Sequence, residues 1–378
     1  MDAFVVEAKR TPIGRSHKDK GIFRTVRADE LLAGLLEYFA KEAMPADQLD
    51  DIYIGCVGQH LEQGKNIARL SALLAGYPEQ VPGVTLNRLC GSSLQALNFA
   101  AMALQCGQAK ALLAGGVEHM QHVSMTACLD YHPQLFVSRD FQFTNMGLTS
   151  DRVAVDFRIS RREQDEFTLL SHQKAVRAQS AGVFKNEIIP VQTDQGLIRD
   201  DQCPRPTTSL EALEGLQPIF QEGGTTTAGN SSPLSDGASL VLLVSQAAGR
   251  RLSLPMRAQI MDFAIVGLDP CLMGLGPIPA IQTLLKKQSM SIDDIDLFEI
   301  NEAFASQAIA SIRELKIPEG KVNIGGGAIA LGHPLGATGT RLITTLLHHL
   351  ERTDGELGMA AMCVGHGQGM ATLIKRVM

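Results

Sequence analysis

Four short segments carry side chains suited to covalent or acid–base chemistry. Cys90 stands in Asn87-Arg88-Leu89-Cys90-Gly91-Ser92-Ser93, where a turn gives way to small residues and then to a helical run. A thiol at a helix start meets unpaired N–H groups and the positive end of the helix dipole, and both favour thiolate. Gly91 and the two serines leave room for a carbonyl to approach. On this reading Cys90 is a nucleophile that iodoacetamide alkylates first; on these residues alone, a packed structural cysteine is the alternative. His333 lies in the glycine-rich stretch 325–339. Glycines let the backbone approach a ligand closely, and Pro334 holds the residue before it extended. One imidazole among glycines suits a general base beside a thiol, with a phosphate-cradling loop or a plain turn as alternatives. No lysine follows the glycines as in a Walker loop, and no acid stands where a dinucleotide fingerprint needs one. Cys363 ends an apolar run and enters Gly365-His366-Gly367. It is either a second thiol that gives and takes a proton or a core cysteine. Asn301-Glu302 follows an acidic strand, as a polar orienter of a catalytic water or as a capping pair. A zinc site from Cys363, His366 and His333 lacks a second paired ligand motif, so no metal is expected.

The elements that must position these groups alternate in type. Phe4-Val5-Val6, Ile52-Tyr53-Ile54 and Ala111-Leu112-Leu113-Ala114 read as strands. Asp29 is placed to cap a helix whose Leu31, Leu32, Leu35, Leu36 and Phe39 recur at helical spacing, and 92–106 is a second helical run. Strands alternating with helices give an α/β protein. The chain also echoes itself. Asp50-Asp51-Ile52-Tyr53-Ile54 has a counterpart in Asp293-Asp294-Ile295-Asp296-Leu297-Phe298, and the Cys90 segment has one in Gly336-Ala337-Thr338-Gly339. Two similar α/β halves with a ligand site between them follow. The middle differs, being polar, irregular and rich in cations: Arg139, Arg152, Arg158, Arg161, Arg162, Lys174, Arg177, Lys185 and Arg205. Its clear helix begins at Ser160, with Glu163 completing a capping box and Phe167, Leu170 and Val176 on one face. It reads as an insertion.

Composition removes several function classes. The chain has 378 residues, 45% hydrophobic and 20% charged, with 34 Lys+Arg against 40 Asp+Glu. A net charge of −6 leaves no basic stripe for nucleic acid, and with no Trp and 4 Tyr stacking platforms are not expected. The cysteines, Cys56, Cys90, Cys106, Cys128, Cys203, Cys271 and Cys363, are odd in number and contain no CxxC, which favours reduced thiols. No apolar run approaches the ~18 residues of a membrane span, the N-terminus meets acids too early for a signal peptide, and the C-terminus is no sorting address, so the expected compartment is the cytoplasm.

Taken in order, the motifs resemble the thiolase family: Arg10-Thr11-Pro12-Ile13-Gly14-Arg15, the Cys90 segment, Gly115-Gly116-Val117-Glu118-His119-Met120, Gly229-Asn230-Ser231-Ser232 with Asp236-Gly237-Ala238, Asn301-Glu302-Ala303-Phe304, Gly332-His333-Pro334 and Cys363-Val364-Gly365. The likeness covers essentially the whole chain. The stretch around His119-Met120-Gln121-His122-Val123 and Tyr131-His132-Pro133 is similar to the thiolase subunit of bacterial fatty-acid oxidation complexes. The resemblance implies two α/β halves stacked in five layers (αβαβα): 1–120 with about 236–251, and 252–378, with a loop domain at 121–235 covering the coenzyme A site. It implies thiolytic cleavage of 3-ketoacyl-CoA to acetyl-CoA and a shortened acyl-CoA in β-oxidation, with acetoacetyl-CoA synthesis as the same-class alternative and a non-catalytic acyl-CoA-binding subunit as the different-class one. Cys90 would carry the acyl group, His333 act as base, Cys363 exchange a proton, Asn301 hold an oxyanion-hole water, and the Gly365 N–H join that of Cys90 in the other oxyanion hole. Arg205, Ser232, Met146, Phe220, Met273 and Phe304 match coenzyme A-contacting positions, and coenzyme A is a co-substrate rather than a resident cofactor. A homodimer or tetramer, and association with a hydratase/dehydrogenase subunit, are also implied. His366, Ala212 and Asn145 depart from residues seen in relatives: His366 stands beside Cys363, and Asn145 replaces a histidine of the short-chain biosynthetic type.

Overall fold

The structure is a computed structural model that describes residues 2–127, 129–138 and 140–377; Cys128, Arg139, Met1 and Met378 lie outside the described residues. Its strands are β1 (Ala3–Arg10), β2 (Gly14–Arg15), β3 (Asp51–Gly55), β4 (Val84–Leu86), β5 (Ala111–His119), β6 (Val191–Thr193), β7 (Gly196–Ile198), β8 (Ser235–Ser245), β9 (Ala258–Gly267), β10 (Leu297–Ile300), β11 (Leu357–Val364) and β12 (Gln368–Arg376). Ten of them join in the order β10-β11-β12-β9-β1-β8-β5-β3-β4, with β2 on β8, while β6 and β7 form a separate hairpin. Strands β5 and β8 are buried along their whole length. Their central stretches, Ala111–Ala114 and Leu240–Val244, are apolar without alternation because helices cover both faces.

Three cores separate the layers. Helix Ala28–Tyr38 packs Leu31, Leu32, Leu35 and Leu36 against Ile52, Ile54, Leu240 and Leu242. Helices Ser92–Gln105 and Thr338–Thr353 bring Leu94, Leu97, Leu342 and Leu346 together with Val5, Leu112 and Leu243 from one half and Ala360 and Met362 from the other. Helix Pro277–Gln288 packs Ile281 and Leu284 against Phe298, Met359 and Leu373. The result is helix, sheet, helix, sheet, helix. The two sheet layers are the two parts of this one sheet, continuous where β1 pairs antiparallel with β9 through Ala3↔Ile260.

Two local expectations shift. Asp29 does not cap its helix. The N-cap is Arg27, whose N–H donates to Glu30 Oε2 at 2.9 Å, and Asp29 sits in the first turn, where its charge favours the dipole. Helix Arg161–Ser180 does begin with the Ser160–Glu163 capping box. Its fully buried face, however, is largely polar (Gln164, Asp165, Thr168, Ser171 and His172), whereas Phe167, Leu170 and Val176 are half-buried. That polar face meets a buried loop instead of a core.

Candidate active site

Cys90 occupies a tight turn between β4 and helix Ser92–Gln105. Leu89 before it takes the left-handed conformation (φ 48°). Three side-chain hydrogen bonds lock the turn: Leu89 N–H donates to Asn87 Oδ1 (2.7 Å), Arg88 N–H to Ser92 Oγ (2.9 Å), and the Ser92 hydroxyl to the Leu89 carbonyl (2.6 Å). A Cβ on Gly91 would stand 2.5 Å from the Met370 sulfur, so only glycine lets the turn pack so closely onto β12. The thiol accepts from the N–H of Gly365 and from its own, but burial outweighs both and pushes it up to about 11. The expected helix-start thiolate is thereby corrected. Withdrawal from water costs the anion more than the backbone donors return, and the resting group is a thiol.

His333 is buried in the loop that leads into helix Thr338–Thr353. Its N–H donates to Ser235 Oγ (3.2 Å). The Thr338 hydroxyl donates to the Pro334 carbonyl (2.8 Å), which leaves its lone pairs to accept from His333 Nδ1–H at 2.6 Å. That bond fixes the tautomer and leaves Nε2 unprotonated. Burial, and then the Arg341 charge, lower the imidazole to about 3, so it is neutral at ordinary pH. Asn301 Nδ2 lies 3.3 Å from Nε2. Its Oδ1 is buried with no hydrogen-bond partner among the described residues, while Gln307 Nε2 holds the Asn301 carbonyl at 2.8 Å.

Cys363 is buried and packs in one apolar cluster with Met273, Ala303 and Phe304, against which Met146 and Phe220 rest. Burial, followed by the neighbouring Cys90, pushes its thiol far up. Of the residues matched to coenzyme A positions, Met273 and Phe304 therefore share the cluster of the second sulfur and Met146 and Phe220 border it. Ser232 adjoins them through its N–H, which donates to the Ala303 carbonyl at 2.9 Å. Arg205 stands apart. It is exposed, and with His172, Arg177 and Thr208 it lines a cleft of about 210 Å³. A cleft of about 370 Å³ reaches Glu302 from behind, between helices Arg161–Ser180 and Ala305–Leu315, and contains neither sulfur.

Three supporting residues have roles the sequence reading missed. Thr338 orients the imidazole, as described. Glu118 accepts from the N–H groups of Val57, Gly58 and Gly336, each at 2.9 Å, and from Gln63 Nε2 at 3.0 Å, tying the loop after β3 to the histidine loop. Glu302 accepts from Ser171 Oγ (2.7 Å), Asn323 Nδ2 (2.8 Å) and Ile329 N–H (3.2 Å), which seats the Asn301 loop on the insertion. A buried acid inside an otherwise apolar motif was the available signal. Among the described residues the group that could hold a metal is Glu62, His119 and His122. Its ring nitrogens are already engaged by Glu62 Oε1, the Phe23 and Arg24 carbonyls and the His122 N–H, so it reads as a hydrogen-bond network.

The family model for the thiolase N-terminal domain matches residues 3–247, and that for the thiolase C-terminal domain matches 254–376. The chain is 50% identical to the 3-ketoacyl-CoA thiolase of Serratia proteamaculans over 384 aligned positions, covering 99% of each chain. Among solved structures it resembles the dimeric peroxisomal thiolase of Saccharomyces cerevisiae, with a TM-score of 0.93 and 37% identity, covering 100% of this chain and 97% of that one. It also resembles human mitochondrial 3-ketoacyl-CoA thiolase, with a TM-score of 0.91 and 35% identity, covering 100% and 99%. With both halves matched and the same layered architecture, the chain belongs to the thiolase family.

Proposed function

We propose that this chain is an acetyl-CoA C-acyltransferase that cleaves 3-ketoacyl-CoA with coenzyme A, yielding acetyl-CoA and an acyl-CoA two carbons shorter, in fatty-acid degradation. One observation carries the reading. Cys90 is close enough to raise the Cys363 thiol, Cys363 and His333 are both buried, and the Thr338 hydroxyl takes the His333 Nδ1–H and leaves Nε2 unprotonated.

The chemistry divides between the groups. Cys90 Sγ attacks the keto carbon as its proton passes to His333 Nε2. The oxygen of that carbonyl gains charge against the N–H groups of Cys90 and Gly365. The bond between the second and third carbons then breaks. Its electron pair moves onto the acetyl-CoA fragment, whose thioester oxygen is met by His333 and the water held by Asn301, and Cys363 supplies the proton that completes acetyl-CoA. The acyl group stays on Cys90. Cys363 next takes the proton of coenzyme A, whose sulfur attacks the acyl-cysteine, and Cys90 leaves with the proton returned from His333. Each preorganised donor contributes about 3 kcal/mol at its oxyanion. Neutral starting groups suit this scheme, because the proton moves only as charge develops on substrate.

Coenzyme A lies along Met146, Phe220, Ser232, Met273 and Phe304, with Arg205 near its nucleotide end, and the loop domain at 121–235 covers it. The N-terminal half at 1–120 with 236–251 supplies Cys90, and the half at 252–378 supplies Asn301, His333 and Cys363. Strand β4 ends the sheet with Val84 exposed, and helix Ser92–Gln105 exposes Phe99 and Met102. An open edge beside apolar side chains suits a second copy of this chain. A hydratase/dehydrogenase subunit is the further partner. No helix among the described residues is long and apolar enough to cross a membrane, and the cytoplasm is the compartment we assign.

Mass spectrometry of the intact protein tests the reading. Incubation with 3-ketohexadecanoyl-CoA is expected to add the shortened acyl mass to Cys90, and coenzyme A to remove it as acyl-CoA. Normal turnover by Cys90→Ser, or release of free acid in place of acyl-CoA, contradicts it. Turnover confined to acetoacetyl-CoA favours the biosynthetic alternative.

A further inference from the structure

We infer that Tyr131 and His366 form a positioning pair that holds the Gly365 turn, and with it the backbone N–H at the Cys90 sulfur. The inference rests on the reading that Cys90 is the residue acylated.

The turn between β11 and β12 is closed by the pairing of Val364 with Gln368. Within it His366 has a φ of 62° and Gly367 one of 76°. An L-residue is disfavoured in that region, where glycine is at ease. A conformation of this kind persists when the surroundings hold it, and it is a reason to look for function.

The His366 ring supplies what holds it. Its Nε2 lies 3.0 Å from the Tyr131 hydroxyl, a hydrogen bond reaching 235 residues back along the chain into the insertion. The rings meet edge-on, with centroids 5.7 Å apart at 85°, and Phe143 packs on both: its ring centroid is 5.9 Å from His366 and 6.1 Å from Tyr131. Burial lowers the His366 imidazole, so the ring is uncharged in this aromatic setting.

The other side of the turn is tied to the nucleophile loop. Gln368 Nε2 donates to the Gly365 carbonyl at 3.2 Å, and Arg88 Nη1 donates to Gln368 Oε1 at 2.9 Å. Gly365 packs closely on the same loop, since a Cβ there would stand 2.9 Å from Leu89 and 3.7 Å from the Met146 sulfur. The N–H at Cys90 is therefore set by what grips its neighbours, Gln368 on one side and His366 on the other. An oxyanion donor displaced by a fraction of an ångström loses much of its effect.

The test separates positioning from space-filling. Tyr131→Phe removes one hydroxyl. His366→Gly removes the ring while giving the turn the residue its backbone favours. The pair predicts that each variant keeps the wild-type melting temperature, or exceeds it for His366→Gly, yet acylates Cys90 about fivefold or more slowly in single turnover. Coenzyme A KM should change less than about twofold, and the double variant should be no slower than the slower single. The pair is overturned if both single variants acylate within about twofold of wild type, if the two losses multiply, or if the loss tracks a lowered melting temperature. Wild-type protein that acylates Cys90 normally while the variants behave so overturns the pair alone. Wild-type protein that never acylates Cys90 overturns the reading of the site and the pair with it.

Discussion

A thiol held at about 11 and an imidazole at about 3 define a pair that rests uncharged. For the free enzyme, the sign for the thiol is that thiolate grows with pH until the raised value is reached. Alkylation of Cys90 by iodoacetamide should therefore climb roughly tenfold per pH unit through about pH 9. A plateau below pH 8 contradicts the neutral thiol. For the imidazole the sign is opposite, because a lowered value keeps Nε2 unprotonated as pH falls. Single-turnover acylation should stay within about twofold between pH 5 and pH 7, and a rate that halves at pH 6.5 would show an unshifted histidine. Thr338→Val removes the acceptor of Nδ1–H, freeing the ring to protonate on the wrong nitrogen. Losing a buried partner costs about 1–3 kcal/mol, so kcat should fall about 5- to 150-fold with coenzyme A KM little changed, as steady-state kinetics would report. Cys90, His333 and Cys363 were visible as candidates because sulfur and imidazole among glycines have few competing explanations. Thr338 and the left-handed Leu89 were not: a hydroxyl five residues away carries no sign of its partner, and a backbone angle leaves no trace in composition.

Helix Arg161–Ser180 shows the same limit one scale up. Its start was legible because a capping box is a local hydrogen-bond pattern. Its buried face was not, since apolar periodicity finds cores and this helix instead turns hydrogen-bonding groups inward. Ser171 donates to Glu302, and Asp165 Oδ1 accepts from Asn230 Nδ2 at 3.2 Å. The insertion thus supports the Asn301 loop directly. Ser171→Ala strips one donor from a buried carboxylate and one acceptor from the Gly327 N–H. It should cost about 1–3 kcal/mol in denaturant unfolding and lower kcat more than it raises coenzyme A KM. A variant as stable and as fast as wild type would mean that the helix merely covers the loop. The Asp29 expectation failed for a related reason: several polar residues precede that helix, and the Glu62 carboxylate, accepting from the Ala28 N–H at 2.7 Å, decides where it starts.

Across the whole molecule, the alternation of strands and helices and the echo between halves were enough to expect an α/β protein in two similar halves, while the five layers followed from the family resemblance. The join of β1 to β9 was not legible, because either strand's pattern fits several neighbours. The middle layer packs residues of both halves into one core. Leu342→Ala there should cost about 2–5 kcal/mol in denaturant unfolding, and a smaller loss would mean that the two central helices repack. Strand β8 bears a different consequence. It lies between β1 and β5, yet the insertion separates it from β5 along the chain. While a ribosome adds residues 120–234, a matter of roughly ten seconds, β1 and β5 wait with unfilled edges. The nascent first half is thus open to mispairing until its last strand emerges, and this enzyme's yield in a cell should depend on whatever shields those edges during synthesis.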